Sequence, residues 1–332
     1  MNWKKRLDTI DTQGVFEGPE KKAEVLFSPP GPSLRSFGQE FWESICAASG
    51  AEILSRKSNR HIDAYLLSES TLLVFDERMI MLTCGQTSLV NGILALHEAL
   101  RDRQISYLLY ERRGMNFPEE QSSNFTADVD ALKSVVEGQA MRLGGSSKEG
   151  LCLFHGGRGG IYPEPSGTLE ILMSGISPRA RSIFGYGEGF EPSLEAIDAT
   201  GLRRLLPGFE IDEHFFQPQG YSLNAINEDL YYSIHVTPQE IGSYVSFESN
   251  YPFTSKQSEE LCKCLLSTFA PLDMETVFYH RKGGRREELS SYLKRQGYQC
   301  WREESDEICH GISTTYDRFK REGSGEALFS PP

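Results

Sequence analysis

Tyr65-Leu66-Leu67-Ser68-Glu69-Ser70-Thr71-Leu72-Leu73-Val74-Phe75 is the stretch from which the fold of this chain can be read. Two apolar runs flank a polar Ser-Glu-Ser-Thr break, the pattern of two short strands joined by a tight turn. Around it, residues 62–68, 71–75 and 78–84 read as strands rich in Leu, Ile, Val, Tyr and Phe. A helix is predicted near 88–101 and a strand near 105–111. The second half repeats this grammar. It has strands at 230–237 and 243–249, a helix at 256–269 with Leu261, Leu265 and Phe269 on one face, a strand at 274–280 and a helix at 286–296. Strand–strand–helix–strand occurring twice predicts two similar halves. Strands joined by short turns run antiparallel. The expected fold is therefore α+β: an αββα sandwich of two mainly antiparallel sheets flanked by helices.

Further out, Ser36-Phe37-Gly38-Gln39 has the spacing of a capping box, and Phe37, Phe41 and Ile45 repeat along one helical face. Ser-Pro-Pro-Gly-Pro-Ser at 28–33 reads as a rigid turn rather than a linker. The expected organisation is a flexible N-terminus over 1–15, a single domain over 16–320 and a flexible tail over 321–332. Leu-Phe-Ser-Pro-Pro occurs at 26–30 and again at 328–332, an echo with no physical account.

The 332 residues are 39% apolar and 11% aromatic, enough for a substantial core and unlike a disordered chain. Net charge is −13 with no basic stripe to offset it, so no nucleic-acid partner is expected. An acidic surface favours a cationic substrate, in a salt-screened way. No run approaches the roughly 18 apolar residues of a membrane span, and Met1-Asn2-Trp3-Lys4-Lys5-Arg6 does not lead into an apolar stretch. Seven irregularly spaced cysteines (Cys46, Cys84, Cys152, Cys262, Cys264, Cys300 and Cys309) read as free thiols in a reducing, cytoplasmic setting. Cys262-x-Cys264 lies on a predicted helix and has no second pair at metal-ligand spacing, which favours core packing over metal binding.

Taken alone, Ser68-Glu69-Ser70-Thr71 is a hairpin turn. Other segments change that reading. Phe16-Glu17-Gly18-Pro19-Glu20-Lys21 places two acids three residues apart before an apolar strand. Gly220-Tyr221-Ser222-Leu223-Asn224 is followed by Ile234-His235-Val236-Thr237-Pro238 and Ser243-Tyr244-Val245-Ser246-Phe247-Glu248. Thr83-Cys84-Gly85 and Thr168-Leu169-Glu170-Ile171-Leu172-Met173-Ser174 complete the set. In this order and spacing, from about residue 16 to about residue 280, the segments together resemble the eukaryotic-type S-adenosylmethionine decarboxylase proenzymes.

The resemblance implies a self-cleaving, pyruvoyl-dependent decarboxylase feeding polyamine synthesis. Ser70 would attack the Glu69 carbonyl, and an ester would form and eliminate. The chain would split into 1–69 and 70–332, leaving Ser70 as a pyruvoyl group. That ketone would form a Schiff base with S-adenosylmethionine and accept the electrons left by CO₂, with no metal and no pyridoxal phosphate. The resemblance casts His235 as the processing base and Ser222 as the hydroxyl holding the processing intermediate. It casts Cys84 as the proton donor, Glu20 as an acid of processing and catalysis, and Glu17 as an acid beside the pyruvoyl group. Without it, a lone strand histidine is structural and a buried cysteine is a small hydrophobe. Phe16 and Phe216 match the aromatics that sandwich adenine, with Leu67 and Gln239 also at the substrate. The cleaved chains would stay associated, and a homodimer of the pair is a possible assembly.

Two departures stand out. Gln239, followed by Glu240, replaces the glutamate expected to accept the ribose hydroxyls. Adjacent strand residues face opposite ways, so Glu240 cannot substitute. In the acidic cluster that binds putrescine in animal members, Glu24, Glu170 and Glu248 match. An expected Asp is Ser166 and an expected Lys is Leu82. Lys22 together with Arg112 is expected to neutralise this cluster internally. Two other functions share parts of this pattern: a pyruvoyl-dependent decarboxylase of ornithine or arginine, which would have no adenine for Phe16 and Phe216, and a catalytically dead regulatory paralogue. The second is opposed by retention of Glu69, Ser70, Cys84, Ser222 and His235.

Overall fold

The computed structural model describes residues 16–145, 150–158, 167–185, 193–217, 219–281, 287–308 and 311–323. Residues 1–15, Ser166, Cys309 and the tail from 324 on, with its copy of the Leu-Phe-Ser-Pro-Pro string, lie outside them. The strands are β1 (Lys21–Phe27), β2 (Ile53–Ser58), β3 (Asp63–Leu67), β4 (Ser70–Val74), β5 (Arg78–Thr83), β6 (Ile105–Arg113), β7 (Gly138–Leu143) and β8 (Leu151–Gly156) in the first half. Those of the second are β9 (Thr168–Ser174), β10 (Glu210–Phe215), β11 (Tyr221–Asn227), β12 (Leu230–Thr237), β13 (Tyr244–Ser249), β14 (Asp273–Arg281), β15 (Tyr298–Glu307) and β16 (Ile312–Arg321). The helices are α1 (Gln39–Ser49), α2 (Leu89–Ala99), α3 (Phe125–Leu132), α4 (Pro178–Ile183), α5 (Leu194–Thr200), α6 (Ser255–Phe269) and α7 (Glu287–Arg295).

Each half makes one eight-stranded antiparallel sheet, in the orders β2-β3-β4-β5-β1-β6-β8-β7 and β10-β11-β12-β13-β9-β14-β16-β15. Adding eight to each label converts the first order into the second, so the halves share one topology. β1 pairs with β5 on one side and β6 on the other. Because both pairings are antiparallel, β5 and β6 are mutually parallel, and α2 supplies the crossover between them.

Period-two alternation sorts the side chains into layers. On β1, Ala23, Val25 and Phe27 join Trp42, Ile45, Ile93 and Leu96 beneath α1 and α2. The second sheet buries Ile171, Met173, Ile234 and Phe247 against Leu261, Leu265 and Phe269 of α6. Between the sheets lie two apolar patches. One joins Leu26 and Leu109 to Val277 and Tyr279, the other Leu73, Ile80 and Leu82 to Ile226 and Tyr231. The sandwich is thus helix, sheet, sheet, helix, and polar groups occupy the rest of its middle layer.

One local expectation is overturned. Ser36 does not cap α1: Gly38 is the N-cap, with no side-chain bond, and the Ser36 hydroxyl donates to Ser33 O at 2.6 Å. Gly38 and Phe37 keep the backbone extended there, so Ser36 sits two residues before the N-cap. The capping box of the chain is instead Thr254–Gln257 at α6.

Candidate active site

The Ser68-Glu69 turn joins β3 to β4, pairing Leu67 with Ser70. Ser70 has φ +141°, a region that costs a residue with a Cβ about 1–3 kcal/mol. Alternation explains why that conformation matters. Thr71 and Leu73 face the inter-sheet layer, while Leu72 and Val74 face the helices. Regular backbone would place Ser70 on the helix side, in one row with Thr83 of β5 and Lys21 of β1. The left-handed φ instead brings its Oγ within 3.4 Å of Glu20 Oε1, in the inter-sheet layer.

The carbonyl preceding Ser70 is also held. Glu69 O accepts a hydrogen bond from Cys84 N–H at 2.9 Å and lies 3.1 Å from Cys84 Sγ. Two donors on one carbonyl oxygen form a ready oxyanion site. Gly85 follows with φ +64°. A Cβ there would lie 3.0 Å from Glu69 Oε2 and 3.1 Å from the Phe16 ring, so this close approach requires glycine.

Across the gap, β11, β12 and β13 align Ser222, His235 and Ser246 in one row. Ser246 donates to Glu20 Oε1 at 2.8 Å. Burial raises the Glu20 carboxyl to about 8, with nearby Glu248 and Glu170 adding and the Ser246 bond and Arg113 opposing. His235 Nδ1 is 2.7 Å from Ser222 Oγ and Nε2 is 3.1 Å from Thr71 Oγ1. Thr71 spends its proton on Asn224 Oδ1 at 2.7 Å, and Asn224 is oriented by its Nδ2 bond to Tyr65 O at 3.2 Å. Thr71 must then accept from His235 Nε2–H, which leaves Nδ1 as the basic nitrogen, covered by the Ser222 hydroxyl. Burial lowers the imidazole to about 3, so it is neutral at pH 7. Burial also pushes the Cys84 thiol well above its ordinary range, reinforced by Glu69 and Glu20 and opposed by Lys21.

The remaining residues named from sequence are distributed as follows. Glu17 is buried. Its oxygens accept from Asn116 N–H at 2.9 Å and Phe117 N–H at 2.7 Å, tying down the segment after β6. Phe16 is 36% exposed, its ring over Gly85. Phe216 packs against Gly220 and meets His214 edge-on at 4.8 Å between centroids. The Leu67 side chain lies in the helix-side core, so only its backbone faces the turn. Gln239 is doubly bonded to Phe16, accepting its N–H at 2.9 Å and donating to its carbonyl at 3.2 Å. Glu240 faces a different cavity of about 340 Å³, with Arg181 and Glu275 in its wall.

The charged cluster requires a correction. Lys22 Nζ lies 2.7 Å from Glu170, 2.9 Å from Glu248 and 3.8 Å from Glu111. The second cation is Arg113, which pairs with Glu111 at 3.1 Å and with Glu170. Arg112 faces the opposite way, bonded to Asp128 of α3 at 2.6 Å. On β6 the even positions, Leu108 and Tyr110, face the helices, and Arg112 follows them. Glu24 has its own partner, Arg78, at 3.1 Å. Burial raises the Glu111 carboxyl, with Glu170 adding and Lys22 and Arg113 opposing. Two cations, Lys22 and Arg113, thus face three acids, Glu111, Glu170 and Glu248. The cluster encloses only about 10 Å³, room for about one water.

Sequence reasoning passed over Asn224, Glu111, Arg113 and Lys21. The first three fall on the inter-sheet face by the same alternation that places Glu20 and Lys22.

A sequence model described as adenosylmethionine decarboxylase matches residues 13–320. Similar curated proteins include the S-adenosylmethionine decarboxylase proenzymes of Ipomoea nil (31% identity; 93% of this chain and 91% of the relative), Drosophila melanogaster (33%; 77% and 80%) and Dictyostelium discoideum (30%; 82% and 76%). The solved Trypanosoma brucei AdoMetDC-delta26 monomer is similar in fold, with TM-score 0.57 and 20% identity over 76% of this chain and 99% of that one.

Proposed function

The chain belongs to the adenosylmethionine decarboxylase family, and from that premise we infer that it cuts itself between Glu69 and Ser70, makes a pyruvoyl group of Ser70 and decarboxylates S-adenosylmethionine. One observation carries the inference. The strained Ser70 stands beside the Glu20 carboxyl, and the carbonyl it would attack is already held by Cys84.

Glu20 accepts the Ser70 hydroxyl proton as Oγ attacks the Glu69 carbonyl carbon. Cys84 N–H and Sγ receive the charge developing on its oxygen. Collapse with loss of the amide nitrogen gives an ester. The neutral imidazole of His235 then removes the Ser70 α-proton, and the bond to the Glu69 carboxyl breaks. The dehydroalanine left at position 70 tautomerises to an imine, which takes up water and releases ammonia to give a ketone. Those groups fit a pyruvoyl residue: a turn that presents position 70 to the inter-sheet layer, with Cys84 and Glu20 beside it. Once formed, the ketone supplies an electron-accepting carbonyl for the substrate amine. Cys84, kept protonated by burial, is placed to return a proton to the substrate carbon after CO₂ leaves.

The cut chains remain together through the sheet. β1, on the short chain, lies between β5 and β6, both on the long chain. The reading extends to a homodimer of the cleaved pair, which sedimentation velocity would detect directly. Phe16 offers an exposed aromatic surface for adenine, and this favours S-adenosylmethionine over ornithine or arginine. The test is CO₂ release from each of the three by the purified enzyme, with Ser70→Ala as control. Release from S-adenosylmethionine alone, abolished in the variant, supports the reading. Release from a basic amino acid instead would replace the substrate.

A further inference from the structure

Lys21 points away from the charged cluster, on the helix-facing side of β1, where alternation puts it. Its side chain is 2% exposed, and Nζ donates to Gly85 O at 3.0 Å. An ammonium has three protons to place, and this is its one described hydrogen bond. Gly85 is the residue that packs on Glu69 Oε2, and the preceding Cys84 grips the Glu69 carbonyl. Lys21 thus stands directly behind the scissile junction. Its charge opposes the rise that burial imposes on the Glu69 side chain, which still reaches about 7.

Self-cleavage changes the charge at this place. Elimination breaks the ester C–O bond and leaves both electrons on the Glu69 carboxyl, so a neutral amide becomes a carboxylate. A new anion in a desolvated pocket is costly unless a cation meets it.

We propose that Lys21 is a positioning residue that receives this new carboxylate and thereby fixes the cut end of the short chain against the Cys84-Gly85 turn. The proposal rests on the cleavage reading above. It adds that an ammonium, rather than a hydrogen-bond donor alone, is needed once cleavage has occurred.

Protection of the cut end reads this directly. Purified, cleaved protein is incubated under native conditions with carboxypeptidase Y, and the short chain is weighed by intact mass spectrometry. Wild type and Lys21→Arg should keep Glu69. Lys21→Met and Lys21→Gln should still cleave but lose Glu69, at least about tenfold faster. Gln, which keeps a polar end in the buried site, stands as the second neutral variant. Four outcomes overturn the proposal: Glu69 kept in both neutral variants, lost equally in Lys21→Arg, already lost in wild type, or neutral variants that fold and never cleave. A wild-type protein that never cleaves removes the reading beneath it, which the same mass spectrum shows as a single uncut chain.

Discussion

At the scale of single residues, the site turns on which atom holds which proton. Asn224 directs the Thr71 hydroxyl, Thr71 directs His235 Nε2–H, and Nδ1 is left basic. His235→Ala should slow self-cleavage by about 10²–10⁴ through loss of the base. Asn224→Ala frees Thr71 to donate to Nε2 and should slow it by about tenfold or more while costing only about 1–2 kcal/mol of stability. A time course of precursor on a denaturing gel checks both. Glu20 adds a pH dependence. It accepts the Ser70 proton only as carboxylate, and its carboxyl titrates near 8, so the cleavage rate should climb from about pH 6 and level off above about pH 8. Glu20→Gln should be slow and flat. The sign for stability is opposite. A folded pKa raised from 4.5 to about 8 means the folded protein holds the extra proton in that window. Stability contributed by protonated Glu20 therefore falls as pH rises through it, and Glu20→Gln should gain relative to wild type across the same range. Ser70, Cys84, Ser222 and His235 could be singled out in sequence through the ordered set of segments that resembles the family, not from their residue types alone. Asn224 and Lys21 could not, since an amide that orders a hydroxyl and a buried lysine have no signature until the strands are in register.

At the scale of the element, the β3–β4 turn stores strain at Ser70, the residue proposed to react. A glycine at position 70 would relieve the left-handed φ, and alanine would keep it. Neither can cleave. Ser70→Gly should therefore be more stable than Ser70→Ala by about 1–2 kcal/mol, after the entropic cost of glycine in a strand is subtracted. Urea titration of the two uncleaved proteins measures the difference, and equal midpoints would refute the strain. The hairpin itself could be read from apolar runs around Ser68-Glu69-Ser70-Thr71. The direction of the Ser70 side chain could not, because alternation predicts the helix side and only the φ reverses it. The period-two rule also separates Arg112, which meets Asp128, from Arg113, which reaches the charged cluster.

At the scale of the whole molecule, two topologically equal halves enclose a polar layer that neither sheet could satisfy alone. Lys22 of the first sheet meets Glu170 and Glu248 of the second, leaving no room for a diamine. Putrescine should accordingly not stimulate decarboxylation by the wild-type enzyme. Lys22→Ala removes a cation from buried acids, should cost about 3–5 kcal/mol, and should regain part of its melting temperature when putrescine is added. Stimulation of wild type by several-fold would contradict this account. The duplication was visible as a repeated order of predicted strands and helices. What joins the halves was only partly so, since contacts between sheets depend on which face each strand presents.

The central claim is that Ser70 is converted into the cofactor by a cut after Glu69. Intact mass of the purified protein under denaturing conditions tests it most directly. The account predicts two chains, residues 1–69 and a longer one beginning at position 70 whose first residue lacks an amine and has the mass of a pyruvoyl group. A single uncut chain that nonetheless decarboxylates S-adenosylmethionine would contradict it.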